Sequence, residues 1–376
     1  MRAKPSGRIW ALVAGGGTGG HVVPAIAIGR ALVERGHDPS TVRFVGSRRG
    51  IEGRLVPAAG FELVLLPGRG IARRPTLQNF GAVLGLVAAF VKAFVLVGRL
   101  RPAVTVAVGG YASVPAALAS VLWRVPLVVA EQNAVPGLAN RLAGRFAAAC
   151  AVSFDGTPLP RAVVTGNPVR PEIATADTTP AGRAAARAAL GLPADAVVVA
   201  VAGGSLGARR INDAVVDLAG RWCGRSGLCI YHVVGRRDFG DVSARRPEAP
   251  PAGLDYRQVE FEDRMPLLLT ASDLSVQRAG ASTVAELAVI GLPSVLVPLP
   301  GAPGDHQTAN ARRLAAAGAA VVVPDGELDA GRLAAELDRL IDSPELRARM
   351  SAAARSLGRP GAAGEVAALV EAHARV

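Results

Sequence analysis

The sequence predicts an α/β protein of two similar halves, each a doubly wound parallel sheet. An apolar run, a glycine turn and a helix follow one another twice, once through residues 9–35 and again from residue 197 to Asn212. Between and beyond these units, short apolar runs alternate with helical segments, the pattern of parallel strands covered on both faces. The length of 376 residues suits two domains that each bury a core.

In the first half, residues 9–14 read as a buried strand and 24–35 as a helix, joined by Gly15-Gly16-Gly17-Thr18-Gly19-Gly20-His21. Such a loop lets a ligand approach the backbone closely. It is neither a dinucleotide fingerprint nor a P-loop, because no acid on a second strand and no Lys-Ser/Thr pair follow. Thr18 and His21 place a hydroxyl and an imidazole at the helix start. His21 reads equally as a proton-accepting group or as a capping or phosphate-contacting residue. Strands follow at 42–45, 63–66, 104–108 and 127–130, with basic loops at Arg48-Arg49 and at 68–74. The carboxyl ends of the last two carry Gly109-Gly110-Tyr111 and Glu131-Gln132-Asn133 leading to Asn140. Ligands bind at such strand ends in open α/β sheets, although Glu131 and Asn133 also suit simple loop capping.

Residues 80–98 carry one charge, Lys92. The length fits a membrane span, but the flanking strands belong to one sheet, so a core helix is expected. Gly81, Gly85, Ala88, Ala89 and Lys92 are expected to share its small face. Leaning of this helix on lipid, with Arg73, Arg74, Arg99 and Arg101 at its ends, is the alternative.

Residues 163–170 close the first half, and the Thr-, Pro- and Ala-rich stretch 174–182 reads as a linker. The second half opens with a helix at 183–190 and a strand at 197–202, followed by Gly203-Gly204-Ser205. Further strands are expected at 230–234, 257–261, 273–276 and 293–297, and closing helices at 336–341, 344–355 and 365–375. Around Gln277-Arg278-Ala279-Gly280, a strand runs into a small-residue turn and a helix from Ala281. The free N–H groups of that helix start suit a phosphate. Glu286 lies one turn inside, and Gln307 and Asn310 follow the next strand.

Hydrophobic residues at 50% and charged residues at 19% exclude a disordered chain. Three scattered cysteines, Cys150, Cys223 and Cys229, argue against a disulfide framework and suit a reducing cytosol. The basic start of the chain is followed by an apolar run too short for a signal peptide. The net charge of +12 is uneven: residues 1–170 hold 20 Lys+Arg against 6 Asp+Glu, and residues 171–376 hold 22 against 24. A basic first half can face an anionic lipid surface or a phosphorylated substrate, or can be an arginine-rich solvated surface. Nucleic acid is not expected as a partner, since aromatics are 4% and no nucleic-acid module is present.

The motif set is Gly16-Gly17-Thr18-Gly19-Gly20-His21, Gly109-Gly110-Tyr111, Glu131-Gln132-Asn133, Gly166-Asn167-Pro168-Val169-Arg170, Gly203-Gly204-Ser205, Arg278 through Glu286, and Gln307-Thr308-Ala309-Asn310. In this order, over residues 8–372, it resembles the MurG family of peptidoglycan N-acetylglucosaminyltransferases. The resemblance implies a GT-B fold, two Rossmann-like domains facing across a cleft. It implies an acceptor and membrane-associated domain at 8–167, a linker at 168–182, a UDP-GlcNAc domain at 183–355 and a closing helix at 356–376. The implied reaction is inverting transfer of GlcNAc from UDP-GlcNAc to undecaprenyl-pyrophosphoryl-MurNAc-pentapeptide (lipid I), giving lipid II. Implied donor contacts are Thr18, Gly19, Gly20, Asn133, Arg170, Ser205, Ala281, Ser282, Thr283, Val284, Ala285, Glu286 and Gln307. Glu262 stands where the family contacts uracil through its backbone. Tyr111 and Asn140 fall on the acceptor side, and His21 and Glu131 are the candidate bases. Ala130 stands where the family usually has His, and His306 where it has Gln. No D-x-D pair for a metal-bound diphosphate is evident in the second half, so neither metal nor cofactor is expected. The implied setting is the cytoplasmic face of the membrane, peripherally bound, with cell-wall synthesis proteins as further partners. A UDP-sugar 2-epimerase of the same architecture and a catalytically silent nucleotide-sugar sensor are the rival readings.

Overall fold

The computed structural model describes residues 8–48, 50–67, 77–204, 207–248, 250 and 252–375, with backbone alone over 77–84. The chain divides into two compact units. The first runs to Arg170 and takes back the chain from Gly361, and the second is Pro171–Pro360.

Unit one contains β1 (Ala11–Gly15), α1 (Gly19–Glu34), β2 (Val42–Ser47), α2 (Glu52–Ala58), β3 (Glu62–Leu66), α3 (Leu77–Leu100), β4 (Val104–Gly109), α4 (Ser113–Leu122), β5 (Leu127–Glu131), α5 (Leu138–Gly144), β6 (Ala149–Val152) and β7 (Ala162–Val164). Its seven strands are parallel in the order β3-β2-β1-β4-β5-β6-β7. Successive side chains of a strand point to opposite faces, and β1 buries both sets. Ala11 and Val13 pack with Val22 and Ile28 of α1. Leu12 and Ala14 pack with Ala89, Ala93 and Val97 of α3. That two-sided burial is why the strand reads as a continuous apolar run.

Unit two contains α6 (Pro171–Ala174), α7 (Pro180–Ala189), β8 (Val197–Ala202), α8 (Arg209–Arg221), β9 (Leu228–Val233), α9 (Phe239–Ser243), β10 (Asp255–Val259), α10 (Met265–Ala271), β11 (Leu274–Gln277), α11 (Ala281–Ile290), β12 (Ser294–Leu296), α12 (His306–Ala316), β13 (Ala320–Val322), α13 (Ala330–Ile341) and α14 (Pro344–Leu357). Its six parallel strands are ordered β10-β9-β8-β11-β12-β13. The last helix, α15 (Ala362–His373), belongs to unit one. Its Val366, Ala367 and Val370 complete the core over β1, β4 and α1. Glu371 accepts from Arg35 and His37, and the His37 ring stacks on Trp10.

Two local readings change. Residues 168–182 hold α6 and the first turn of α7, where Thr179 accepts from Gly182 N at 3.2 Å and Pro180 follows as the first helical residue. Thr followed by Pro is helix-start chemistry, and by composition it looks like a linker. On α3, the set expected to share one face is split: Ala89 is buried, whereas Ala88 and Lys92 are exposed. The helix turns Ala89, Ala93 and Val97 inward because small residues let it approach the sheet and α4 closely, and this leaves Val87, Val91 and Val95 outside. Among the described residues no helix is long and apolar enough to cross a membrane.

Beneath the β8–α8 turn of unit two lies a buried polar chain. Asn212 Nδ2 donates to Val234 O and to Asp238, so its Oδ1 must accept. His232 Nε2, at 3.0 Å from that oxygen, therefore carries the proton, and its bare Nδ1 accepts from the Tyr256 hydroxyl at 2.9 Å. Burial holds His232 neutral and pushes its pKa down to about 3. An unfolded histidine titrates near about 6.5. Between these values only the unfolded chain binds the proton, so stability falls as the pH drops below the unfolded value. The limiting slope is about 1.4 kcal/mol per pH unit. Urea unfolding compared at about pH 6.5 and about pH 5 should show this loss in wild type and a flatter response in His232→Gln. Equal slopes in the two proteins would show that His232 does not control it.

Candidate active site

Three strand-end loops of unit one converge at the carboxyl ends of β1, β4 and β5. Gly16 N donates to Gly109 O at 3.3 Å. A Cβ on Gly110 would lie 2.2 Å from Gly16 O, and Gly110 has φ +82°, so position 110 admits glycine for two independent reasons. Thr18 is the N-cap of α1, yet its side chain does not cap; its Oγ1 lies 3.3 Å from His21 Nδ1. The His21 ring rests against the second loop, where a Cβ on Gly109 would lie 3.0 Å from Nε2 and 3.4 Å from Asn140 Nδ2. His21 and Asn140 thus flank one glycine.

Glu131 is 3% exposed and engaged at both oxygens. Oε1 accepts from the backbone and side-chain nitrogens of Asn133 at 2.9 and 3.2 Å. Oε2 accepts from Gly137 N at 3.1 Å and Asn140 Nδ2 at 2.9 Å. The Tyr111 hydroxyl donates to Pro67 O at 3.2 Å, and burial pushes its pKa up. Arg170, half-buried, is the last residue of unit one before α6.

In unit two, α11 begins after Gly280, which has no side chain to cap the helix, so its first N–H groups receive no side-chain cap. Ala281, Val284 and Glu286 are buried along α11, while Ser282, Thr283 and Ala285 are half-buried. The turn before it is braced from α12. Gln307 Oε1 accepts from Ala279 N at 3.2 Å and Leu299 N at 2.9 Å, and Asn310 Nδ2 donates to Ala279 O at 3.2 Å. Arg278 donates to Val297 O, Pro298 O and Asp325. The Gln307 carbonyl is therefore a brace, and its amide nitrogen is the end that can meet a ligand. Burial pushes the Glu262 carboxyl up, but bonds from Tyr231 and Arg264 outweigh it and leave the pKa below the ordinary range. Exposed Phe261 beside it carries the Arg236 guanidinium over its ring at 5.1 Å. Ser205 lies outside the described residues. Among the described residues, no three His, Cys, Asp or Glu side chains come together to hold a metal ion.

The description of the glycosyltransferase family 28 N-terminal domain matches residues 11–152, and that of the family 28 C-terminal domain matches residues 198–366. A UDP-N-acetylglucosamine–N-acetylmuramyl-(pentapeptide) pyrophosphoryl-undecaprenol N-acetylglucosamine transferase of Clavibacter sepedonicus is 43% identical over 96% of this chain and 95% of its own. The chain belongs to the MurG family. A transferase of the same name from Moorella thermoacetica is 41% identical over 93% of this chain and 95% of its own. The crystal structure of Acinetobacter baumannii MurG superposes with TM-score 0.76 at 28% identity, covering 96% of this chain and 99% of that one. A UDP-N-acetylglucosamine 2-epimerase structure from Listeria monocytogenes, at TM-score 0.67 and 15% identity, shares the fold, covering 98% of this chain and 97% of its own. The two parallel sheets are thus those of a GT-B glycosyltransferase.

Within this MurG-family chain, unit one gathers Thr18, Gly19, Gly20, His21, Glu131, Asn133 and Asn140 at one sheet edge, and unit two gathers Ala281–Glu286 with Gln307 at another. Sequence reasoning passed over Glu52, whose carboxylate accepts from Gly17 N at 3.0 Å. A signal existed: it is one of 6 acids in residues 1–170 and directly follows the Arg48-Arg49 loop.

Gly110→Ala tests the contact between the first two loops. The methyl must push Gly16 away and sit at positive φ, a strain of about 1–2 kcal/mol. At this size the melting midpoint should fall by roughly 2–8 °C. The transfer rate should fall at least about tenfold, since small misplacements of reacting groups are costly. A wild-type rate would show that the contact is dispensable.

Proposed function

We infer that the chain transfers N-acetylglucosamine from UDP-N-acetylglucosamine to the muramyl sugar of undecaprenyl-pyrophosphoryl-MurNAc-pentapeptide, with inversion, making lipid II. The observation that carries this reading is the 43% identity, over nearly the full length of both chains, to a transferase named for that reaction. The loop chemistry supports it.

Inverting transfer needs a base for the acceptor hydroxyl and stabilisation of departing UDP. His21 is the better base. His21 Nδ1 lies 3.3 Å from Thr18 Oγ1, and in the Nδ1–H tautomer Nε2 is the basic nitrogen. A base requires the neutral imidazole, and the positive end of a helix dipole opposes the imidazolium. Glu131 already accepts four bonds and acts as the frame of its loop, holding Asn133 and Asn140 in place. The leaving diphosphate is stabilised by the uncapped N–H groups at Ala281–Thr283, with Arg170 adding charge. Glu286 takes the ribose hydroxyls, the Gln307 amide nitrogen the GlcNAc, and the backbone at Glu262 the uracil. Thr18, Gly19, Gly20, Asn133 and Ser205 complete the donor contacts, with Tyr111 and Asn140 on the acceptor side.

The lipid substrate is met at the inner membrane surface by the α3–α5 layer. Val87, Val91 and Val95 on α3, and Leu138 and Leu142 on α5 with Phe146 just beyond its end, form exposed stripes at four-residue spacing, with Leu118 and Leu122 exposed on α4. Exposed Arg99, Arg124, Arg141 and Arg145 lie among them. Apolar side chains ringed by arginine suit an anionic bilayer.

The reaction is tested with UDP-GlcNAc and a lipid I analogue, comparing wild type, His21→Ala and His21→Gln at saturating substrates. A missing base costs about 10²–10⁴-fold in kcat, so both variants should be slow with UDP-GlcNAc affinity nearly kept. A His21→Gln enzyme within about threefold of wild type, far from that loss, would rule out the base. Formation of UDP-ManNAc from UDP-GlcNAc alone, without transfer, would make the chain an epimerase.

Membrane binding is tested by cosedimentation of the full chain with vesicles. Burying one large apolar side chain is worth about 1.5–3 kcal/mol, so Val91→Glu with Phe146→Glu should weaken binding to anionic vesicles at least about tenfold. Added salt should weaken it further. Equal binding to neutral and anionic vesicles at low salt would remove the electrostatic part.

A further inference from the structure

Glu52 opens α2 directly after the β2 loop and is 1% exposed. Burying a carboxylate is costly unless its oxygens are bonded. Here Oε1 accepts from Ser47 N at 2.7 Å and Oε2 from Gly17 N at 3.0 Å, both charge-assisted bonds to backbone. Three glycines clear the space it fills. A Cβ on Gly16 would lie 2.2 Å from Oε1, one on Gly46 2.5 Å from Cγ, and one on Gly50 1.8 Å from Oε2. Gly46 and Gly50 lie outside the first glycine loop, so two separate segments make room for one side chain.

We propose that Glu52 is a positioning residue for transfer: its carboxylate fixes Gly17, and through Gly17 the placement of Thr18 and His21. Gly17 immediately precedes the N-cap Thr18, and His21 lies in the first turn of α1. Gly109 and Gly110 press on Gly16 from another loop, so the backbone at 16–17 is held between a carboxylate from β2–α2 and a turn from β4–α4. Loss of either hold lets the loop drift. The carboxylate also consumes the Gly17 N–H, so anion-binding donors in this loop begin beyond Gly17.

The catalytic part rests on the transferase reading, and the experiment separates the two. Glu52→Gln keeps the shape but turns an NH₂ group toward a backbone N–H. Glu52→Asp keeps the charge but cannot span both donors, and serves if the glutamine variant does not fold. Each is made in the full chain, alone and with His21→Ala. Hydrogen exchange is followed in the segment containing Gly15–His21, and kcat and KM for UDP-GlcNAc are measured with a lipid I analogue. Exchange should quicken in that segment with the sheet of unit two unchanged. In otherwise wild-type protein kcat should fall on the order of 10–100-fold, with KM for UDP-GlcNAc rising by less, because Thr18, Gly19 and Gly20 lie on the same loop. On the His21→Ala background, the same change should cost no more than about twofold, because the group it positions is gone. Equal losses in both backgrounds, or unchanged loop exchange, would overturn the proposal. Absence of transfer in wild type would overturn the reaction, and the exchange result would still decide whether Glu52 holds the loop.

Discussion

Unit one depends on a close approach of two backbones. Gly110 lies so near the Gly16 carbonyl that a single methyl would overlap it, and Gly16 in turn bonds to Gly109. Parallel strands side by side bring their carboxyl-end loops together, but ordinary residues would hold those loops apart by the width of their side chains. Glycine removes that width. His21 can then lean on Gly109 and share its surface with Asn140, although the three come from separate strand-end segments. The conformational freedom that glycine brings has to be removed by something else, and in this chain it is removed by acids and amides.

The same device recurs at several loops. Glu52 spans Ser47 and Gly17, Glu131 spans Asn133, Gly137 and Asn140, and Glu262 spans Tyr231 and Arg264. Gln307 and Asn310 do with amides what these acids do with carboxylates, holding the Arg278–Gly280 turn by both its N–H and its C=O. A carboxylate that accepts several N–H bonds is rigid and satisfied, which suits a frame better than a proton acceptor. His21 differs. Its ring lies beside the Thr18 hydroxyl at the start of α1.

Much of this architecture was legible in the sequence because the strands are buried on both faces. The run at 197–202 coincides with β8, and the glycine turns fell where the strands end. What was not legible depended on partners distant in sequence. The last two strands, β6 and the edge strand β7, have four and three residues and gain their order from pairing with β5 and with each other. The inward face of α3 was misread because small residues there serve close packing on β1 and α4, while valines face outward. Glu52 was invisible as a site residue because its meaning lies in Gly17, 35 positions earlier. The bracing of the loops by Glu131, Gln307 and Asn310 came only from the bonds.

The two faces of the unit-one sheet have different chemistry for a reason rooted in chain order. On one face, α15 returns from beyond unit two to lie with α1, its Val366 and Val370 buried and its Glu371 paired with Arg35. That face is closed by the chain itself. On the other face, α3, α4 and α5 follow one another directly and bury small residues inward: Ala89, Ala93, Ala116, Ala117, Ala119 and Ala143. Small inward residues bring the helices close to the sheet but place the larger apolar side chains outside. Val87 at 56% and Phe146 at 58% exposure are the result. A surface of this kind is unfavourable in water. On the membrane reading proposed above, the +14 charge of residues 1–170 selects an anionic surface as the place where it is covered. If that reading holds, an enzyme whose acceptor is anchored in a bilayer gains from that compromise, because the layer that makes the sheet compact is also the one that would bring the glycine loops to the acceptor.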